Sequence, residues 1–297
     1  MSSITVEQPI VKEPAKWTLP RGWQRQLGHG LSYLMLTLLA LIMIVPFVWM
    51  FATSLKTREF ILETPPRLIP DPASFDSYRQ LFDLIPIKHM LFNSILVAVV
   101  GTGGQVLVSA MAAYAFARMQ WKGRNALFTL YLATMMVPSQ VTLIPLFILI
   151  RELGWPNSYQ ALIVPGLFSA FGTFLLRQHF LTLPRELEEA AFLDGANHFT
   201  IFWRVLLPLS KPALATLAVF SFMGLWNAYL WPLFVARRED VMTLPVGLAV
   251  LQGGPRALTQ WNLVMAGAVI TVLPILAVFL LAQRWFVQGV VTSGIKG

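Results

Sequence analysis

The amino-acid sequence predicts an all-α fold: a polytopic membrane bundle of six transmembrane helices, with a short amphipathic helix on the cytoplasmic side between spans four and five. Three observations predict it. Apolar residues make up 56% of the 297-residue chain and charged residues 12%, about half the charge of a soluble domain. Six stretches of at least 24 residues carry no charge at all. Runs such as Leu36-Thr37-Leu38-Leu39-Ala40-Leu41 lack the alternation that membrane β-strands need. The same composition excludes a disordered chain. With no Cys, disulfides, thiolate catalysis and Cys-type zinc or iron–sulfur sites are excluded too.

The charge-free windows are 26–55, 89–117, 125–150, 153–176, 212–236 and 257–283. A helix needs ~20 apolar residues to cross the hydrocarbon core. The next longest window, 241–255, falls short. A charge at a span centre costs about 2.5–3.5 kcal/mol, against roughly 0.3–0.6 gained per Leu, Ile or Phe, so keeping charges outside is worth several apolar residues per span. The apolar core of the first window, 31–51, is too long for a signal peptide and is read as an uncleaved span. Gly and Pro within the windows (Pro46, Gly101, Gly103, Gly104, Pro138, Pro145, Pro165, Gly172, Pro274) predict kinks and close helix packing, or are ordinary membrane-helix residues. The resulting organisation is an N-terminal tail (1–30), a first span (31–55), an extracytoplasmic loop (56–88), a five-span core (89–287) containing a loop at 182–209, and a C-terminal tail (288–297).

Six spans place both termini on one side. If that side is the cytoplasm, 13 of the 22 Lys and Arg lie inside, and the short loop between spans two and three holds Arg118, Lys122 and Arg124 with no acid. Positive-inside counting therefore predicts cytoplasmic termini in a multi-pass membrane protein. The net charge of +8 reflects this topology rather than a nucleic-acid surface.

No Asp or Glu falls within any window. A proton-coupled carrier needs titratable groups at membrane depth, so uphill transport here would take its energy from another polypeptide. A sodium-coupled carrier using backbone carbonyls is less firmly excluded. The phosphate-binding pattern G-x-x-x-x-G-K-[ST] is absent, as is H-E-x-x-H, and the chain is expected to be non-enzymatic with no metal site.

Residues 181–212 hold the most informative stretch. Thr182 before Leu183-Pro184 reads as a helix start. Glu186, Glu188 and Glu189 crowd the N-terminal half, where the helix dipole favours anions. Leu187, Ala190, Ala191 and Asp194 share one face by i, i+3, i+4, i+7 spacing, and Gly195 suits a left-handed helix end. A second short helix at 199–206 places Phe199, Phe202, Trp203 and Leu206 on one face, before Pro208 and Pro212 break the chain. A helix lying on anionic lipid favours Lys and Arg. Three Glu and one Asp against one Arg favour docking to a cytoplasmic protein, with a purely internal helix as the alternative.

The pattern Glu189-Ala190-Ala191-x3-Gly195-x9-Val205-x-Leu207-Pro208 resembles the EAA loop of permease subunits of binding-protein-dependent ABC importers, with Val205 where the family usually carries Ile. Similarity to maltose-type sugar permeases extends over most of the chain, including residues 64–70, 226–232 and 260–262. The resemblance implies that Glu189, Ala190, Ala191, Asp194, Gly195, Phe199 and Pro208 dock on a separate dimeric ATPase. That ATPase would bind the ATP and Mg, and this chain would hold no cofactor. A second permease subunit, an extracytoplasmic solute-binding protein and a sugar complete the implied partners. Glycerol 3-phosphate or another polyol is the alternative substrate.

Asn227, with Trp226, Tyr229 and Trp231, combines aromatic faces and an amide that suit a polyhydroxylated ligand; interior packing or an interfacial belt is the alternative. Asn93, with Ser94 beside it, and Gln140 are further candidates for the pathway. The loop at 56–88, with five cations, five acids and five prolines, is expected to be extended and either to meet the binding protein or to be plainly solvated.

Overall fold

The computed structural model describes residues 21–61, 63, 65, 67–253 and 260–294. The N-terminal twenty residues, Thr64 and Pro66 of the proline-rich loop, and the last three residues of the C-terminal tail lie outside the described residues. The chain divides into two compact units, residues 1–49 and 50–297.

Fourteen α-helices appear among the described residues: α1 (Arg21–Ser54), α2 (Asp76–Leu84), α3 (Ile87–Arg118), α4 (Arg124–Ala133), α5 (Ser139–Glu152), α6 (Tyr159–Ile163), α7 (Ala170–Thr182), α8 (Glu186–Leu193), α9 (His198–Ile201), α10 (Leu207–Leu209), α11 (Lys211–Trp226), α12 (Leu230–Val235), α13 (Leu244–Gly253) and α14 (Trp261–Gly294). The first unit contributes α1 up to Trp49, a helix with exposed Leu, Ile, Met and Phe side chains. Lipid offers the backbone no partners, so such apolar segments must satisfy their own hydrogen bonds as helices.

Three helices, α1, α3 and α14, are long and apolar enough to cross a membrane. Three bent pairs bring the total to six if each pair is one span: 124–136 with 139–152 (100°), 159–167 with 170–182 (42°) and 198–209 with 211–226 (81°). The expected third and fourth spans are therefore not straight rods. At the first bend Val137 (φ −83°, ψ 117°) precedes Pro138, whose ring pushes the preceding residue out of the helical region. At the second, Ser169 is extended (φ −125°, ψ 110°) and its hydroxyl accepts the Gly172 N–H at 2.9 Å, restarting the chain as α7. The window 212–236 is also divided: α11 stops at Trp226, and α12 begins after Asn227-Ala228-Tyr229. The helix α14 reaches Gly294, so the predicted C-terminal tail begins within it.

In the second unit α3 is central and packs against α7 and α11, while α11 packs on α14. Small residues permit the closest approaches. A Cβ on Gly172 of α7 would sit 2.7 Å from the Ser109 hydroxyl of α3. The loop at 56–88 is anchored rather than plainly solvated. Its α2 buries Ser77 and Leu81 against α14, with Asn262 donating to Ser77 Oγ at 3.0 Å, and Tyr78 bonds Ser54 at 2.9 Å.

Candidate functional site

The loop that joins α7 to α11 begins differently from its sequence pattern. Thr182 closes α7, its hydroxyl donating to the His179 carbonyl at 2.7 Å, and α8 starts at Glu186, after Pro184 and Arg185. Glu186, Glu188 and Glu189 occupy the first turn of α8, where they offset the positive end of its dipole. Gly195 has φ +82°. The Ala196 N–H reaches the Ala191 carbonyl at 2.9 Å and the Gly195 N–H reaches Phe192 at 3.0 Å, the paired bonds of a Schellman termination. A left-handed Gly195 thus ends the helix, as its position predicts. Asn197 then caps α9, accepting the Thr200 N–H at 2.8 Å.

The inward side of α8 is held by a charge that the residue pattern does not reveal. Glu188 Oε1 lies 2.9 Å from Arg118 Nε, at the last residue of α3, and the two side chains are only 12% and 3% exposed. The approach is off the N–H axis, so it acts as a charge contact more than as an aligned hydrogen bond. The guanidinium also donates to the Phe180 and Leu183 carbonyls at 2.5 and 2.7 Å, satisfying acceptors at the C-terminus of α7. Arg118 therefore ties α3, the end of α7 and α8 together. Burial raises the Glu188 carboxyl above 4.5, while Arg118, Arg185 and His198 oppose that rise. Beside the pair, Tyr114 and His198 Nδ1 are 2.9 Å apart, and Phe192 meets the His198 ring edge-on.

The second helical piece corrects the expected single face. The chain widens into a π turn over Phe202–Leu206, between α9 and α10. Ile201, Phe202 and Leu206 are buried against α3, α7 and α11, whereas Phe199 and Trp203 point outward. A π turn adds a residue to the helical repeat and moves Phe199 and Trp203 off the face that Phe202 and Leu206 occupy. Ala191 is half-buried against the same core. The outward surface carries Leu187, Glu189, Ala190, Asp194, Gly195, Phe199 and Pro208, with Leu193 at its tip, 90% exposed. Acidic and apolar groups thus stand side by side on a rigidly seated loop.

The expected pathway residues separate into two sets. Trp226 is 1% exposed, stacks on Phe222 at 5.8 Å and donates to the Thr271 carbonyl at 3.1 Å. Asn93 is also buried, donating to the carbonyls of Asp240 and Met242 at 2.9 Å each and accepting from Tyr159 at 2.7 Å. Both side chains are buried in the interior and spend their polar groups on backbone carbonyls and Tyr159. Trp231 is half-buried and donates to Ala161 at 2.8 Å. Asn227, Tyr229 and Gln140 are exposed, and the Asn227 amide folds back onto the Met223 carbonyl at 2.8 Å. The structure does not gather these six residues into one site. Arg118 is legible in sequence as a cation that closes a charge-free window and marks the cytoplasmic side, and Glu188 lies 70 residues away; no local pattern joins them.

Comparison with known proteins places this geometry among transporters. Residues 105–292 match the family described as binding-protein-dependent transport system inner membrane component. The sn-glycerol-3-phosphate transport system permease protein UgpE of Yersinia enterocolitica is 38% identical over 267 residues, covering 88% of this chain and 95% of that protein. The arabinooligosaccharides transport system permease protein AraQ of Halalkalibacterium halodurans is 35% identical over 262 residues, covering 87% and 93%. A bacterial ABC transporter involved in the import of the acidic polysaccharide alginate contains a chain of the same fold, with TM-score 0.79, 24% identity and coverage of 91% of this chain and 100% of that one.

Proposed function

This chain belongs to the family of binding-protein-dependent transport system inner membrane components, and from that premise we propose that it forms one wall of a sugar-translocation pathway. The chain is a permease subunit of an ABC importer, a membrane protein and not the enzyme of its system. In this reading it pairs with a second permease subunit and receives a di- or oligosaccharide from an extracytoplasmic binding protein. A separate dimeric ATPase supplies the energy. The names of its arabinooligosaccharide and glycerol-3-phosphate relatives supply the substrate classes.

The observation that carries the reading is the exposed face of Glu189, Ala190, Leu193, Asp194 and Phe199, standing on the buried Arg118–Glu188 contact. Ala190 and Gly195 let a partner approach the backbone, and Glu189 and Asp194 meet its cations. Closure of the ATPase dimer around ATP would press on this face and rock the permease between inward- and outward-facing states. Shifting such an equilibrium from 1:99 to 99:1 takes about 5.5 kcal/mol of differential binding, which the docked loop must transmit without yielding. The termini lie in the cytoplasm with this loop.

Gly195→Asp or Ala190→Asp is expected to abolish uptake while the protein remains in the membrane. Normal uptake with normal stimulated ATPase activity would refute docking at this face. Glycerol 3-phosphate is the second substrate reading, favoured by the 38% identical relative. Thermal shift of the cognate binding protein across sugars and sn-glycerol 3-phosphate decides between the two.

A further inference from the structure

A cleft of about 220 Å3 opens between α3, α7 and α11, lined by Gln105, Ser169, Phe171, Phe220, Ser221 and Gly224 among others. Its three polar side chains come from different helices but share a depth. At 1.5 Å per residue, Gln105 lies ~20 Å before the Arg118 end of α3, Ser169 ~20 Å before the end of α7, and Ser221 ~15 Å after the start of α11. That is the middle of a hydrocarbon core ~30 Å thick. Neither the Gln105 amide nor the Ser221 hydroxyl makes a hydrogen bond among the described residues. Gln105 is half-buried, and its two N–H donors and carbonyl cannot be left facing acyl chains without a large desolvation cost. This face therefore meets water, a solute or another polypeptide, unlike the exposed Val99 and Leu107 of the same helix.

We propose that this midplane cleft, and not Trp226 or Asn93, is the part of the translocation pathway that this chain contributes, and that it takes a neutral, hydroxylated solute. The inference rests on the importer reading above. An amide and two hydroxyls offer donors and acceptors without charge. The Phe171 and Phe220 rings, 6.2 Å apart and edge-to-face, supply apolar faces for the C–H side of a sugar. No charged side chain lines the cleft, so a phosphoryl group would find no cation here. At about 220 Å3 the cleft is smaller than a complete ligand site of roughly 300–1,000 Å3, so the second permease subunit closes it.

The chain has no cysteine, which allows a direct test. Gln105→Cys, Ser221→Cys and the control Val99→Cys are each assembled with the partner subunits in vesicles and treated with a membrane-impermeant methanethiosulfonate, with and without ATP. Gln105→Cys or Ser221→Cys should label at least ~10-fold faster than Val99→Cys. Maltose or another neutral disaccharide that the binding protein accepts should slow the labelling, and sn-glycerol 3-phosphate should not. Two variants guard against a local folding failure. Labelling no faster than Val99→Cys, in a complex that still performs ATP-driven uptake, would overturn the cleft assignment and leave the importer reading intact. Protection by sn-glycerol 3-phosphate alone would overturn the neutral substrate. Uptake without nucleotide would overturn the importer reading itself.

Discussion

The two ends of α3 hold their neighbours by different chemistry. Near its N-terminus Asn93 fastens the 240–242 segment and Tyr159 with three hydrogen bonds, and Ser94 accepts the Leu244 N–H at 2.7 Å. At its C-terminus Arg118 holds α7 and α8 through two carbonyls and the Glu188 carboxylate. The first is a neutral network in which both amide N–H groups have partners. The second contains a buried carboxylate held chiefly by the Arg118 guanidinium, with Arg185 and His198 assisting. A neutral, satisfied latch makes one end a fixed scaffold. The charged end binds strongly but is sensitive above all to the loss of Arg118, which serves α7 and α8 together, and this suits the place where force would enter.

The comparison breaks most sharply at Arg118. Arg118→Met leaves Glu188 buried without its nearest cation, strands the Leu183 carbonyl and removes one of the two donors to the Phe180 carbonyl. Removing one member of a buried pair costs about 3–5 kcal/mol. Uptake is expected to fall to background, measured in vesicles against the amount of assembled complex. The pH dependence has a definite sign. The folded carboxyl already titrates above 4.5 because burial opposes its charge, and losing Arg118 raises it further. In the window between 4.5 and that raised value the folded loop binds more protons than the unfolded one. Stability therefore falls as pH rises through the window, and the variant's Tm should improve on acidification within it. A Tm indifferent to pH would show that Glu188 is not buried as a charge.

Asn93→Leu tests the other end. It strands two carbonyls and a tyrosine hydroxyl, at about 1–3 kcal/mol for each group left unsatisfied. The Tm should drop, while uptake per assembled complex stays near that of the unmodified chain. An uncoupled ATPase with unchanged Tm would reverse the assigned roles of the two ends. Glu188→Gln comes next: it removes the charge but keeps a polar group beside Arg118, whose bonds to Phe180 and Leu183 survive. Its cost should be well below that of Arg118→Met in the same uptake and Tm measurements. Gly195→Ala places a Cβ at φ +82° and should cost about 1–2 kcal/mol, read as a loss of Tm. Asp240→Asn should change nothing measurable in Tm, because its exposed pair with Arg238 is solvated and the Asp240 carbonyl that Asn93 grips is unaltered.

The helical windows and the Gly195 termination were legible because each rests on local chemistry: charge excluded from lipid, and a backbone conformation that favours glycine. The bends at Pro138 and Ser169 were visible only as helix-breaking residues, since a proline marks where a helix yields without stating the angle. The π turn at Phe202–Leu206 escaped a 3.6-residue reading and redistributed Phe199 and Trp203 outward. Asn93 and Trp226 carried the right groups for a sugar, yet carbonyls brought close by the tertiary fold claim them. Glu188 and Arg118 were hidden by their separation along the chain, because only the packing of α8 beneath α3 makes them neighbours.

The most direct measurement places a cysteine at Leu193, the most exposed large apolar side chain of the loop, and follows its reaction with a soluble thiol reagent before and after the ATPase subunits are added. Docking at this face predicts rapid labelling of the permease alone, strong protection by the ATPase, and a cross-link from Cys at position 193 to that partner. Equal labelling in a fully assembled, transporting complex would contradict it.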